Sequence, residues 1–537
     1  MAESFVAILM MLGVLAAVAL LARRLDIAPS ILLVIAGIGM ALVPGLPQVI
    51  LAPEVVLLLI LPPLIYSAGV SMSWREFKFN LRPIFLLAFG CVIFTAFAVA
   101  AVTHYLLGFD WRIGFVLGAI VAPPDVVAPL AIARRLGLPH RLVVILEGEG
   151  LANDATALVL YRFAVAAIVT GTFSLPQAAG TFALIVVGEI AFGIGVGWLS
   201  LRLRRWARDP RVEITLSLMT PYIAYWIPEH VGGSGVLATV AAGLYVSWRG
   251  PLLIPAATRL QGIFFWDLLI YLIEGLVFLV TGMQARRLID GVDSFSMREL
   301  VIATLLTAGV AIAARFIWVF PATYIPRWIP AVRRRDPSPP WQYPFLLAFT
   351  GVRGVVSLAA ALAIPLTLAN GAPFPQRELI QFVSFGVIFI TLVGMGLMLP
   401  SVVRWTGVHL AGQVERKKEH EAELAARRLT AELARKRVDE LALKRGVPES
   451  ALDLLRARYD SRLKLLPMSM SEGFEISEHR AQIRLELITA ERQLIHELLR
   501  KGDISDETRR RIERDLDLEE ASFRTRIGSS GHDTQPL

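Results

Sequence analysis

Apolar residues fall into about thirteen runs separated by short polar connections, each near the roughly 20 residues a helix needs to cross a bilayer. The runs cover residues 5–22, 29–44, 53–70, 81–107, 112–134, 141–170, 178–200, 212–228, 232–250, 262–284, 298–325, 342–370 and 378–404. After residue 404 the pattern changes. Runs such as ERKKEHEAELAARRLTAELARKR combine helix formers with Glu and Arg about four apart, the spacing of a solvated helix. The pattern therefore predicts two regions, a membrane region over 1–404 and a soluble helical tail over 405–537, with the segment PMSMSEGFEIS interrupting the tail's helices.

Two of the runs contain residues hostile to a helix. The fifth carries Ala122-Pro123-Pro124-Asp125 and then Pro129, and the twelfth carries Gly351-Val352-Arg353-Gly354 and later Pro365. Proline removes a backbone donor and clashes with the preceding turn. With the seventh run as a linker, runs 1–6 and 8–13 form two six-helix halves, and the interrupted helices occupy equivalent places. A matched pair of broken helices points to a transport site near the midplane of an all-α membrane protein built from inverted repeats.

Composition and charge sharpen this. With 55% hydrophobic residues and a mean hydropathy of +0.61, the 537-residue chain fits a polytopic membrane protein. Residues 1–410 hold 28 Lys and Arg against 20 Asp and Glu, and residues 411–537 hold 25 against 25. The excess positive charge belongs to the membrane region, which argues against nucleic-acid binding. Arginines cluster after runs 1, 3, 5, 7, 9 and 11, with Arg286 and Arg287 after run 10 as the main exception. By the positive-inside rule the odd connections and the C-terminus are cytoplasmic and the N-terminus lies outside. The first run is expected to act as its own insertion signal, with no cleaved leader. Cys91, the only cysteine, cannot form an internal disulfide. No glycine-rich nucleotide motif and no Cys/His metal spacing occurs, so no enzyme chemistry and no cofactor beyond a transported ion is expected.

The chemistry concentrates in EGEGLANDATALVLYR, Glu147 to Arg162. Carboxylates inside a membrane helix are costly and are kept for ion binding, proton transfer or pairing. Asp154 has no Lys or Arg within a helical turn to neutralise it. Asp125, at the Pro-Pro break, either joins Asp154 around a cation or caps the half-helix that follows. Freed carbonyls at the break can replace part of a hydration shell. Glu149 and Asn153 are four apart and share a helix face. Glu149 and Asp154 are five apart, about 140° around the helix, and cannot both aim at one small ion on a regular helix. Asp154 is therefore assigned to cation and proton, with Glu149 and Asn153 as support or access, and Glu147 left outside. Arg353 and Glu274 read as a buried ion pair holding the broken twelfth span. Arg162, Glu189 and Arg315 are further intramembrane charges with no role beyond helix pairing or snorkelling.

These residues resemble a known family. GEGLANDATALVLYR is similar to the Gly-Glu-Ser-Leu-x-Asn-Asp signature of the monovalent cation:proton antiporters of the NhaP and sodium/proton exchanger type. APPDVVAP, GVRGVVSLAAALAIP and EGLVFLVTG resemble its Pro-Pro-Asp, Gly-x-Arg-Gly and Glu-bearing helices, all in family order over about residues 5–404. The resemblance implies thirteen helices, a homodimer in the cell membrane, and a core domain moving against a dimerisation domain. It implies exchange of Na+, or of Li+ or K+, for H+. It places Asp154 as the ion and proton carboxylate beside Asn153, with Glu149 and Asp125 around it, and marks Arg353 with Glu274 as a structural pair. The Asn-Asp pair looks like the electroneutral kind. Two positions depart from the family: its serine after the glutamate is Gly150 and its threonine before the aspartate is Pro124, so carbonyls or water would supply those oxygens. A pore lined by the same carboxylates, or a membrane sensor signalling through the tail, are the competing readings; paired broken helices favour a transporter.

Overall fold

The computed structural model describes residues 2–44, 51–170, 175–292, 295–368, 371–445, 449–465, 470–501 and 503–530. These are helical almost throughout, and they divide into two compact units, Met1–Gln413 and Val414–Leu537.

The first unit contains α1 (Ala2–Leu25), α2 (Pro29–Leu42), α3 (Pro53–Ser71), α4 (Leu81–Leu107), α5 (Trp111–Val121), α6 (Val127–Arg135), α7 (His140–Thr170) and α8 (Leu175–Ala207). It continues with α9 (Pro210–His230), α10 (Val236–Leu253), α11 (Ala256–Met283), α12 (Met297–Tyr324), α13 (Gln342–Phe349), α14 (Val355–Leu362) and α15 (Arg377–Thr406). Among the described residues nine helices are long and apolar enough to cross a membrane. The other expected spans fall on the shorter α2, on α9, and on the two interrupted pairs α5/α6 and α13/α14. The interruptions lie where the sequence places them, at 122–126 and 350–354. Pro129 is tolerated in α6 because it sits in the first turn, where its missing N–H would have no partner.

Packing sorts the helices into two bundles. In one, α2 lies on α11, α3 on α10, and α8 on α9 and α10; in the other, α4 lies on α5 and α12, α5 on α7, and α12 on α13 and α15. Lipid offers no hydrophobic drive between helices, so close crossings rely on small residues. A Cβ on Gly37 would lie 2.1 Å from the Leu279 carbonyl, and one on Gly118 would lie 2.4 Å from that of Ala96. Gly69 and Gly243 meet backbone to backbone in the same manner.

The connection from α12 to α13 is tied down by one acid. Asp336 accepts from Arg327 at 2.7 Å, pairs with Arg141 at 2.8 Å, and also takes Arg82. Burial pushes this carboxyl up, but hydrogen bonds and charge from Arg141 and Arg327 outweigh it and hold the group below its ordinary value. A depressed folded-state value stabilises the fold above the unfolded-state value, near pH 4, and the gain disappears as pH falls through the folded one. Thermal melts of wild type and Asp336→Asn are therefore expected to differ at neutral pH and to converge below about pH 4. A gap that persists unchanged into acid would show that charge at Asp336 is not the cause.

The second unit contains the remainder of the helix Val408–Arg445 (α16) with α17 (Glu449–Leu465), α18 (Met470–Lys501) and α19 (Asp506–Ser530). Isoleucines of α18 close on Leu516 of α19, and Arg484–Glu519 and Arg492–Glu520 pair across them. The expected interruption at PMSMSEGFEIS is shorter than read: Met470 to Ser477 is helical, and Pro467 to Ser469 lie outside the described residues.

Candidate functional site

The two interruptions cross each other. The Asp125 N–H donates to the Val352 carbonyl at 2.6 Å, and the Arg353 Nε donates to the Val121 carbonyl at 2.9 Å. The approach is close enough to require glycine: a Cβ on Gly354 would lie 2.1 Å from the Asp125 carboxylate. Helix α7 passes this crossing with Asn153 and Asp154.

Asn153 is fully buried. Its Nδ2 donates to the Pro124 carbonyl at 2.6 Å, while its Oδ1 has no partner among the described residues. An orphaned buried acceptor is costly unless a ligand or water reaches it. Asp154 is half-buried and makes no hydrogen bond or ion pair with any described residue. Asp125 lies within its electrostatic reach. One Asp125 oxygen accepts the Val127 N–H at 3.0 Å, so the capping role and a place beside Asp154 coexist. Asp154, Asp125 and the Asn153 Oδ1 thus form an oxygen-rich, uncompensated group at the crossing, a donor set suited to a hard monovalent cation. No cluster of three or more Asp, Glu, His or Cys with the geometry to hold a metal ion occurs among the described residues.

Two expected assignments change. Glu149 is not open to an ion, because both its oxygens are held by Arg315 of α12, at 2.5 and 2.8 Å, with the carboxylate wholly excluded from solvent. The Arg315 Nε also donates to the Leu347 carbonyl at 3.0 Å, so this fork joins α7, α12 and α13. Asn153 accordingly bonds Pro124 and not Glu149. The Arg353–Glu274 ion pair does not form either. Arg353 spends its donors on carbonyls, those of Val121, Gly351 and Ala311, and its N–H on the Thr391 hydroxyl. Broken helices leave carbonyls without intrahelical donors, and a buried guanidinium satisfies several at once. Glu274 on α11 instead lies within electrostatic reach of Asp125 and Arg134. Arg315 is the residue whose part the sequence did not disclose; an intramembrane arginine was visible, its partner five spans away was not. Glu147 pairs with Arg134 at 2.5 Å, outside the site.

Gly150 now has a reason. A Cβ there would meet Val126 at 2.5 Å, so α7 lies flush against the α5/α6 break only without a side chain.

The family model described as sodium/hydrogen exchanger, transmembrane, matches residues 10–405. The chain belongs to that family. This exchanger is 35% identical over 515 residues to an uncharacterised Na+/H+ exchanger of Mycobacterium tuberculosis, covering 94% of this chain and 93% of that one. It is 31% identical over 520 residues to the sodium, potassium, lithium and rubidium/H+ antiporter of Bacillus pumilus, covering 94% and 76%. Its fold is similar to that of the sodium proton antiporter MjNhaP1 from Methanocaldococcus jannaschii, with a TM-score of 0.59 at 18% identity over 76% of this chain and 99% of the other. The exchanger is thus a multi-pass member of the monovalent cation:proton antiporters.

Proposed function

We propose that the exchanger carries Na+, and with it Li+ or K+, against H+, with cation and proton competing for Asp154. The observation that carries this is the Asp154 carboxylate, half-buried and without any protein partner among the described residues, beside the orphaned Asn153 Oδ1 and Asp125. A charge left so uncompensated in a low-dielectric site is stabilised by a bound cation or removed by a proton. Asn153 cannot take up a proton and Asp125 already accepts the Val127 N–H, which favours one cation for one proton, an electroneutral exchange of the kind the Asn-Asp pair resembles. Thirteen spans in two inverted halves, a homodimer in the cell membrane, an outside N-terminus and a cytoplasmic C-terminus complete the reading, with the bundle of α4–α7 and α12–α15 moving against the other. Two features favour K+ as a further substrate: Gly150 and Pro124 stand where relatives place hydroxyls, which relaxes the ligand cage, and the Bacillus pumilus relative bears potassium in its name.

In proteoliposomes, each of Na+, Li+ and K+ added outside should drive proton release from acid-loaded vesicles, at a rate that an imposed membrane potential leaves unchanged. A rate that follows the potential would overturn the one-for-one stoichiometry, and conductance without proton movement would favour a pore.

A further inference from the structure

Three charged groups of the membrane unit take no part in the ion site: Arg162, Glu189 and Glu229. They meet on one side of Asp154. Arg162 follows Asp154 by eight residues on α7, about 12 Å along the axis. Its Nη2 pairs with Glu229 in the last turn of α9, and its Nη1 donates to the Gly233 carbonyl in the α9–α10 turn.

That turn is held rigid from within its own bundle. Glu189 of α8, 3% exposed, accepts the backbone N–H groups of Ser234 at 2.5 Å, Gly235 at 3.2 Å and Leu237 at 3.2 Å. It thereby satisfies the orphan donors where α10 begins. Tyr225, buried in α9, lies within electrostatic reach of Glu229, Arg162, Glu189 and Asp154. Arg162 is therefore a hook from the bundle that carries Asp154 into a stiffened corner of the other bundle. A second ion pair joins the bundles near the start of α7, Arg135 to Asp26 at 2.8 Å, but Asp26 is 77% exposed and a pair so solvated contributes little.

We propose that Arg162 is a positioning residue for exchange: its hold on Glu229 and Gly233 closes the approach to Asp154 from that side and must release in every transport cycle. The proposal rests on Asp154 being the carrier, and its failure is separable from failure of that reading. The direct test places Arg162→Cys and Glu229→Cys in a Cys91→Ser background and bridges the two thiols with a bifunctional methanethiosulfonate in proteoliposomes. Bridging is expected to cut cation-driven proton movement more than tenfold, and dithiothreitol to restore it. A bridged protein that exchanges within twofold of the reduced one overturns the hook while leaving the ion site standing; an active Asp154→Asn would instead remove the site. If the double variant does not fold, Glu229→Gln serves, because it keeps the shape and weakens the hold. It should change kcat by threefold or more with the cation KM within twofold, and unchanged values of both would overturn the proposal.

Discussion

Arg315→Ala is expected to cost the exchanger most of its stability. The substitution leaves the Glu149 carboxylate, with no solvent exposure, facing a cavity in place of a two-pronged guanidinium. Removing one partner of a buried pair costs about 3–5 kcal/mol, because the survivor keeps its desolvation penalty and loses its compensation. It also removes one of the two donors to the Leu347 carbonyl near the α13/α14 break, leaving the Thr350 hydroxyl. A large fall in melting temperature, or a failure to yield monodisperse protein, is the expected outcome. Removing both charges together, as Glu149→Gln with Arg315→Met, should recover much of the loss, since no unpaired charge remains. A single Arg315→Ala variant that melts with wild type would mean that the pair does not hold α7 to α12.

Asp154→Asn is expected to do the opposite, abolishing exchange and sparing the fold. Asp154 makes no hydrogen bond or ion pair with any described residue that an amide would break, and the isosteric side chain fits the same space. Its loss removes the only member of the site that is both ionisable and uncommitted to a protein donor, since one Asp125 oxygen already accepts from Val127. Relieving an uncompensated charge should leave the melting temperature equal to wild type or higher. Exchange within twofold of wild type in this variant would make Asp154 structural.

These contrasting outcomes mirror what could be read from residues alone. The two helix breaks were legible because proline and glycine act locally: Pro123-Pro124 and Gly351-Val352-Arg353-Gly354 each weaken a helix at their own positions, although Pro62-Pro63 is carried within α3 without a break. Asp154 was legible for a similar reason, because no cation lies within a turn of it. Pairing was not legible. Arg353 and Glu274 have opposite signs and lie two spans apart, yet Arg353 turns to the Val121 and Gly351 carbonyls at the breaks and to that of Ala311 on α12. Glu149 takes Arg315, 166 positions away. Helix periodicity reports which face a residue occupies and is silent on which helix that face meets. For the same reason Arg162 and Glu189 were visible as intramembrane charges, but their convergence with Glu229 on the α9–α10 turn depends on how α7 lies against α10.

The most direct test of competition at Asp154 is the apparent KM for Na+ measured in proteoliposomes across a series of pH values, at zero membrane potential. If one proton and one cation exclude each other from one carboxylate, KM rises about tenfold for each pH unit below the site's own titration, while the maximal rate at saturating Na+ changes far less. A KM that stays constant through the acid range would place proton and cation at different sites and contradict the exchange proposed here.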